Sequence, residues 1–355
     1  MKGKAENTRL YGVLRTACAL LLALVCGGVL FALSGYKPLQ VYTLIFQGAF
    51  GSWDSFLTTL TYTVPLLFSG LAFAVASKAN IMNLGGEGQI YVGAMTAAIV
   101  GAYVTFLPRA AHLPLTLVVS FAVAGLYGAL AGFLKVRFGA NEVIVTIMLN
   151  YLAQNFCSYL VAYPLQDSLG VPQTKQIMDT ARLGRAFPGH YLSTALYLAL
   201  GAILIAWFVM SRTHLGYQMK VLGHNQKAAE TAGINYKKIT VITMFLSAGI
   251  AGLCGAGQVL GTHFRFIEDF STGFGFEGIA VAALAGNNPL MILLSGLLFG
   301  GIKSGAAEVN RVASLPMDYV MIIQAMVVVL IAAPRLIDWI LKPLRRLVKA
   351  RREKT

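Results

Sequence analysis

Long apolar runs recur along the chain and are separated by short stretches with charged, Pro and Gly residues. A transmembrane helix needs about 20 mainly apolar residues. The pattern predicts such helices at 12–33, 56–77, 89–107, 113–134, 143–163, 191–211, 239–260, 275–287, 289–306 and 318–334. The run 275–287 is too short to cross as a straight helix, and eight or twelve spans remain open. We therefore expect an all-α integral membrane protein with about ten transmembrane helices, forming a single transmembrane domain over residues 1–355.

Composition and charge agree with a membrane protein. Hydrophobic residues make up 57% of the 355 positions and charged residues 12%, about half the charged share of a soluble domain. The net charge is +14, yet most Lys and Arg residues lie at predicted span ends, in the N-terminal segment 1–11, the connection 212–238 and the tail 335–355. Such an asymmetry predicts that both termini are cytoplasmic, and it favours contact with anionic membrane lipid over nucleic acid.

The chain offers little for catalysis or metal binding. Each of the four Cys residues lies in an apolar stretch, and the five His residues are scattered without a metal-ligand spacing. A P-loop with the pattern G-x-x-x-x-G-K-[ST] is absent from the sequence. We predict no catalytic residue, no metal site and no cofactor in this chain.

The two halves of the sequence resemble one another. Span two and span seven share a small-residue stretch, and later positions match with equal internal spacing: Glu87-Gly88 with Glu277-Gly278, and Pro114, Ser120 and Gly125 with Pro289, Ser295 and Gly300. A repeat displaced by five spans is inverted in the membrane, which is typical of transporters. We expect a 5+5 inverted repeat, with chance similarity of apolar sequence as the alternative.

The longest cytoplasmic connection, 212–238, is predicted to hold a short helix. Asn225 is placed to cap a helix over 226–232, and Gly233 to end it in the left-handed conformation. Small residues on its surface, Ala228, Ala229 and Ala232, would let a partner protein grip it in a groove. An ordinary helical loop would have the same composition.

At this loop the sequence resembles the permease subunits of bacterial ABC importers for nucleosides and simple sugars, the branched-chain amino acid/ribose-type superfamily. The resemblance lies in Gly216, 222–225, 228–229 and 232–234 of the loop and in the segments 80–89, 140–150 and 273–286. It covers about 40–335 of the chain. Together the four segments are specific, whereas each alone is not.

The resemblance implies the rest of the machinery. Members import a solute across the bacterial cytoplasmic (inner) membrane, using two permease subunits, cytoplasmic ABC ATPases that consume ATP and Mg²⁺, and an extracytoplasmic substrate-binding protein. The second permease is identical or a paralogue. Residues implied in coupling to the ATPase are Gly223, Asn225, Ala228, Ala229, Glu230 and Gly233. The motifs favour nucleosides, with ribose- or galactose-type sugars as the alternative.

Candidate residues for the substrate path are polar or aromatic and lie near predicted helix ends: Asn83, Glu87, Gln89, Asn141, Glu142, Asn150, Phe274, Phe276, Glu277 and Asp318. Carboxylates are expensive inside a membrane and often mark a pathway. The first turn of a helix, however, stabilises a carboxylate by about 0.3–1 kcal/mol, so capping is the competing interpretation. Gly-rich segments at 85–88 and 273–278 are predicted helix breaks that line the path, with close packing as the alternative.

Two further alternatives remain at this stage. The charged outer connection 164–190 is either a docking surface for the binding protein or a solvated loop. An ion-coupled secondary transporter is the rival from another class, since inverted repeats and broken helices serve both. It would need an ion site at mid-depth, and it leaves the 212–238 loop unexplained.

Overall fold

The computed structural model describes residues 21–168 and 170–316, with residues 319, 321–322, 324–326 and 329 beyond them. Most of this part of the chain is helical. The helices are α1 (Leu21–Leu33), α2 (Pro38–Phe50), α3 (Trp53–Lys78), α4 (Gly86–Tyr103), α5 (Arg109–Phe138), α6 (Glu142–Ala162), α7 (Ala195–Arg212), α8 (His214–His224), α9 (Gln226–Thr231), α10 (Tyr236–Gln258), α11 (Phe274–Leu284) and α12 (Ile292–Ala313). Segments 1–11 and 335–355 and Asp318 lie outside the described residues.

Six of these helices are long and apolar enough to cross a membrane: α3, α5, α6, α7, α10 and α12. The pair α1 and α2 meets at 119° and adds a seventh if it is one span. Helix α4 is not among them, and its first turn carries Glu87 and Gln89. Helix α11 has only 11 residues. The described residues therefore give a mostly helical membrane architecture with six or seven candidate spans, and the ten spans expected from the sequence are not confirmed.

Helix α2 is a correction to the sequence prediction, which treated residues 34–55 as a connection. Pro38 stands at the first helical position, where the missing N–H costs nothing and the fixed φ already suits a helix. Gly35 has a φ of 82° and ends α1. The prediction missed the helix because its 13 residues fall short of span length.

The described residues divide into two compact units, one that lies within the ranges 1–55 and 301–355 and one within 56–300. In the first unit, α1, α2 and the second part of α12 share a small core of Phe31, Val41, Ala306, Val309 and Leu315. Ser304 donates a hydrogen bond of 2.8 Å to the carbonyl of Gly48. This unit holds none of the described path candidates.

The second unit, residues 56–300, is built around α10, which packs on α4 and α5 through small residues. A Cβ added to Gly93 would lie 2.4 Å from the Cα of Gly252, and one added to Gly128 would lie 2.1 Å from the Cβ of Ala248. Close backbone approach of this kind is how helices associate in membranes. Helix α10 continues into a π-helical turn, Val259–His263, before the chain leaves the helix.

The connection 164–190, predicted to be an outer loop, is folded rather than extended. Strands β1 (Gln166–Ser168) and β2 (Val171–Thr174) form an antiparallel hairpin, a feature that the all-α prediction lacked. The connection also binds the segment after α10: Thr174 N–H donates to Phe266 O at 3.0 Å and Ile177 N–H to Phe264 O at 2.8 Å. It is thereby attached to the chain that leads into α11.

Candidate functional site

The N-termini of α4 and α11 meet inside the second unit, and we call this contact the helix-tip junction (residues 85–88 with 273–275). The Glu87 carboxylate, 3% exposed, accepts a hydrogen bond of 2.7 Å from the backbone N–H of Gly275. Both residues lie in the first turn of their helices, so two helix N-termini direct positive partial charge at one carboxylate. A Cβ at Gly275 would lie 2.2 Å from the Glu87 nitrogen. The contact therefore requires glycine.

Buried amide side chains hold the α4 side of this junction in place. Asn83 and Gln89 form a reciprocal amide pair, with N···O distances of 3.0 and 3.1 Å. Asn83 also donates to the Ser247 hydroxyl at 2.8 Å and accepts from Gly85 N–H at 3.0 Å. Asn150 of α6 accepts from Gly88 N–H at 2.8 Å. These predicted path residues are 2–4% exposed and bonded to other protein groups.

The start of α6 lies apart from the helix-tip network. Asn141 caps α6, and its side-chain oxygen accepts from Val143 N–H at 2.9 Å. Glu142 forms an ion pair of 2.7 Å with Lys135, near the end of α5. Asn141 thus caps a helix and Glu142 forms an ion pair, and neither residue lines the polar pocket beside the helix-tip junction.

A polar pocket of about 410 Å³ opens beside the helix-tip junction. Its polar lining comprises Glu87, Gln154, Asn155, Ser158, Asp269 and Ser271, and aromatic rings come from Tyr91, Tyr151 and Phe276. Carboxylates, amides, hydroxyls and flat rings together can bind a polar organic solute through hydrogen bonds and stacking. Of the predicted path residues, this pocket contains Glu87 and Phe276.

The other predicted residues of α11 take different positions. Phe274 is 8% exposed, and Phe276 is 50% exposed. Glu277 is half-buried in the first turn. The Gly-rich segments at 85–88 and 273–278 are thus the starts of two helices that face each other, and they are not breaks within a helix.

Sequence reasoning missed Tyr91, Tyr151, Asn155, Ser158, Asp269 and Ser271 of the polar pocket. Four of the lining residues of α6 follow a helical spacing, at positions 151, 154, 155 and 158. Polar residues at i, i+3, i+4 and i+7 on an otherwise apolar helix mark one face. That periodicity could have been used to predict a polar face of α6 in contact with water or solute.

Residues 212–238 contain the predicted short helix, α9, and the preceding helix α8, which was not predicted. Asn225 caps α9 by accepting from Ala228 N–H at 3.2 Å. Gly233 has a φ of 77°, and Ile234 N–H returns to Ala229 O at 2.9 Å, which closes the C-terminus. The predicted cap and stop of this helix are confirmed.

The surface of α9 differs from the prediction at one residue. Ala228 and Glu230 are exposed, whereas Ala229 is fully buried, so its predicted place on the surface is wrong. Position 229 faces inward because one side of this helix packs against the protein, while its neighbours at 228 and 230 point to the other side. Gly223 packs against the end of α3, and a Cβ there would lie 2.4 Å from the carbonyl oxygen of Lys78.

No cluster of three or more His, Cys, Asp or Glu side chains suited to a metal ion occurs within the part of the chain that the structure describes. The arrangement instead combines a polar cavity among membrane helices with a small exposed helix at a helix–helix connection. Such a protein moves or binds a solute.

Known proteins resemble this chain over nearly its whole length. It is 34% identical over 351 residues to the guanosine ABC transporter permease protein NupP of Bacillus subtilis (strain 168), covering 95% of this chain and 98% of the relative. It is 28% identical to the nucleoside ABC transporter permease protein NupB of Lactococcus lactis, covering 97% of each. The glucose ABC transporter permease protein TsgB13 of Haloferax volcanii is 30% identical, covering 87% of this chain and 84% of the relative.

The family profile for the permease component of the branched-chain amino acid transport system matches residues 55–332. That range contains the helix-tip junction, the polar pocket and α9. The chain therefore belongs to this family of multi-pass ABC transporter permeases.

Proposed function

We propose that this permease carries nucleosides into the cell as part of an ABC importer. The polar pocket at the helix-tip junction is the observation that carries the proposal. Lipid cannot satisfy buried carboxylates and amides, so polar side chains on an exposed face of a membrane helix need water, solute or a partner protein. Asn155 and Tyr151 are exposed on α6 beside this pocket.

The pocket's chemistry fits a nucleoside. The carboxylates of Glu87 and Asp269 can accept hydrogen bonds from ribose hydroxyls, and the amides of Gln154 and Asn155 can both donate and accept. The Phe276 ring, half exposed at the pocket, can stack on a base. We assign these residues to direct contact with solute because they line the polar pocket, whereas Asn83, Gln89 and Asn150 do not.

The 5+5 inverted repeat is part of the proposal. In that scheme α3, α4 and α5 correspond to α10, α11 and α12. An axis in the membrane plane relates such repeats, and equivalent helices that begin near the axis meet end to end. Contact between the tips of α4 and α11 supports this arrangement. Alternating access would then rock the two repeats about the junction.

ATP hydrolysis belongs to a partner in this proposal. The exposed side of α9, including Asn225, Ala228 and Glu230, would contact a cytoplasmic ABC ATPase that binds ATP and Mg²⁺. When the ATPase moves α9, Gly223 would transmit that movement to α3, because the end of α8 touches the last residues of α3. Ala229 and Gly233 would maintain the shape of α9.

The outer connection 164–190 is the proposed landing surface for the substrate-binding protein. Its charged side chains Asp167, Lys175 and Arg185 are exposed, and its hairpin is hydrogen-bonded to the chain before α11. Complementary charge steers such docking. Both termini would lie in the cytoplasm, and a second permease, identical or a paralogue, would cover the exposed face of α6.

Simple-sugar import is the second candidate, since the glucose permease of Haloferax volcanii is similar to this chain over most of its length. A sugar would use the same carboxylates and amides but would leave the aromatic rings of the polar pocket without a stacking partner. Competition between nucleosides and pentoses for uptake separates the two candidates.

The test is uptake by proteoliposomes that contain the permease pair, the ATPase and the binding protein. We expect ATP-dependent uptake of labelled guanosine or uridine that excess ribose does not inhibit. Deletion of Gln226–Gly233 should abolish both uptake and co-purification of the ATPase. Uptake driven by an ion gradient without ATP would contradict the proposal, and uptake of glucose in place of nucleosides would favour the second candidate.

A further inference from the structure

A second cavity, of about 370 Å³, lies in the unit of residues 56–300, and we call it the aromatic pocket. The first half of α3, the end of α10 with its π-helical turn, residues 190–191 and the segment before α11 form its walls. Its lining includes the rings of Tyr62, Phe270 and Phe274 and the polar side chains of Gln258, Thr262 and His263. None of these polar residues was a candidate from the sequence.

Gln258 is the distinctive member of this lining. Its side chain is 8% exposed and lies in a helix that is apolar enough to span a membrane. Among the described residues, no group forms a hydrogen bond with its amide. Its amide is not among the side-chain groups that are sealed from solvent without a partner, and because most buried polar atoms in proteins are bonded, it needs water or a ligand as a partner in the cavity. The aromatic pocket is thus the place where this amide must find a partner.

His263, in the π-helical turn after α10, is a second polar side chain that lines the pocket without a hydrogen-bond partner among the described residues. Its ring is half-buried and packs edge-on against Phe270, with ring centroids 6.2 Å apart. Within the described chain neither ring nitrogen has a hydrogen-bond partner. Gln258 and His263 therefore line one cavity, and both have hydrogen-bond donors and acceptors that no described protein group uses.

A π-helical turn brings these side chains to one side. Positions 258 and 262 share a face of an ordinary helix, and the wider turn at Val259–His263 lets position 263 join them. Single π turns cost stability and occur often at functional sites. The backbone irregularity and the unpartnered polar groups are thus two independent observations on the same few residues.

We propose that the aromatic pocket binds the base of a nucleoside, with Gln258 reading the hydrogen-bonding edge of the base and the aromatic rings holding its faces. This inference rests on the proposed function. A glutamine amide pairs well with a base, because it donates and accepts along one edge, as in bidentate recognition of adenine. Aromatic rings bind the faces of any base.

The two pockets share a wall, which gives the aromatic pocket a place in transport. Along the segment 269–274, consecutive residues alternate between them: Asp269, Ser271 and Gly273 line the polar pocket, and Phe270, Thr272 and Phe274 line the aromatic pocket. A base bound in the aromatic pocket is separated from the polar pocket by one thickness of chain. We assign the aromatic pocket as a binding site next to the substrate path.

The test uses the complete transporter in proteoliposomes, with Gln258→Leu as the main variant and Thr96→Val as its control. The Thr96 hydroxyl bonds to Val92 O of its own helix at 2.7 Å and lies in neither pocket. We expect Gln258→Leu to raise the KM for guanosine and adenosine uptake about tenfold or more, while co-purification of the ATPase and thermal stability stay at the wild-type level. His263→Gln, which keeps a polar nitrogen, should have a smaller effect on KM.

Photolabelling locates the base directly. An azido-adenosine probe should label wild-type peptides containing Tyr62 or residues 258–263, which line the aromatic pocket and not the polar pocket, and the label should be lost in Gln258→Leu and kept in Thr96→Val. Label confined to α6, or an unchanged KM in both Gln258→Leu and His263→Gln, would overturn this inference while nucleoside uptake continued. Absence of nucleoside uptake by the wild type would instead overturn the proposed function. If Gln258→Leu fails to fold, His263→Gln and the label position still decide the matter.

Discussion

Two groups of buried polar side chains lie in the same unit of this permease, and they differ in whether their hydrogen bonds are satisfied. Asn83, Gln89 and Asn150 at the helix-tip junction bond to one another, to Ser247 or to backbone. Gln258 and His263 in the aromatic pocket have no such partners among the described residues. The first group stabilises a backbone shape, whereas the second has hydrogen-bonding capacity left for a ligand.

The difference shows how structural and ligand-binding polar residues of a membrane helix can be distinguished. Residue type and burial are nearly the same for Asn83 at 4% exposed and Gln258 at 8%. What separates them is the count of donors and acceptors nearby. Substitutions that perturb one group should therefore change stability, and substitutions in the other should change binding.

The largest effect is expected at the helix-tip junction. Gly275→Ala would put a Cβ 2.2 Å from the Glu87 nitrogen, backbone against side chain in a rigid contact. The cost should exceed the 1–3 kcal/mol of ordinary overpacking, so the variant should fail to accumulate in the membrane. Gly201→Ala is the control, because no atom lies within 4 Å of its added Cβ. Normal expression of Gly275→Ala, measured by quantitative membrane blots, would mean that the junction is loose.

A smaller loss is expected from the amide network. Asn83→Leu removes partners from Gln89, Ser247 and Gly85, and should lower the free energy of unfolding by about 1–2 kcal/mol. Thermal unfolding in detergent measures this loss, and Gln258→Leu run beside it should show no loss. The comparison fails if Asn83→Leu leaves stability intact and raises the KM for nucleosides.

A local effect is expected at α9, the helix proposed to contact the ATPase. Asn225→Ala removes the cap of α9 and should destabilise that helix by about 1 kcal/mol. We expect weaker association with the ATPase in pull-downs and fewer molecules transported per ATP, with no change in the preference among nucleosides. Gln226→Ala, which loses only a 3.1 Å contact with Glu230 on the exposed side, is the matched control. An altered preference among nucleosides in Asn225→Ala would contradict the proposed role of α9 in coupling to the ATPase.

The smallest effect is expected at Glu142. Its ion pair with Lys135 joins two side chains that are 21% and 27% exposed. Partly exposed pairs contribute about 0–1 kcal/mol. Glu142→Gln should therefore shift the melting temperature slightly and leave uptake of nucleosides unchanged in the proteoliposome assay. A loss of uptake without a loss of stability would instead support a role for Glu142 in the substrate path.

Much of the fold was predictable because apolar runs of span length leave few alternatives. The cap at Asn225 and the stop at Gly233 also follow from local rules, and both are confirmed. Helix α2 was missed because its length falls below the threshold for a span. The total of ten was not reached in the described residues, since α4 carries polar residues in its first turn and α11 is short.

The candidate site was harder to predict for a physical reason. Sequence patterns indicated Glu87 and Phe276 because they lie in conspicuous Gly-rich segments. Gln258 and Asp269 have no such local signature, and their role depends on which groups the folded chain brings near them. Hydrogen-bond satisfaction is a property of tertiary structure, so no local pattern could separate Gln89 from Gln258.

The alternating wall at 269–274 makes the two pockets depend on one another, because consecutive residues line opposite pockets. Asp269 has a φ of 55° and Gly273 a φ of 92°, so the segment is a turn whose side-chain directions depend on these backbone conformations rather than on a strand register. A change of backbone conformation at either position therefore alters the lining of both pockets at once. A solute that reshapes this segment from one side would also reshape the cavity on the other side.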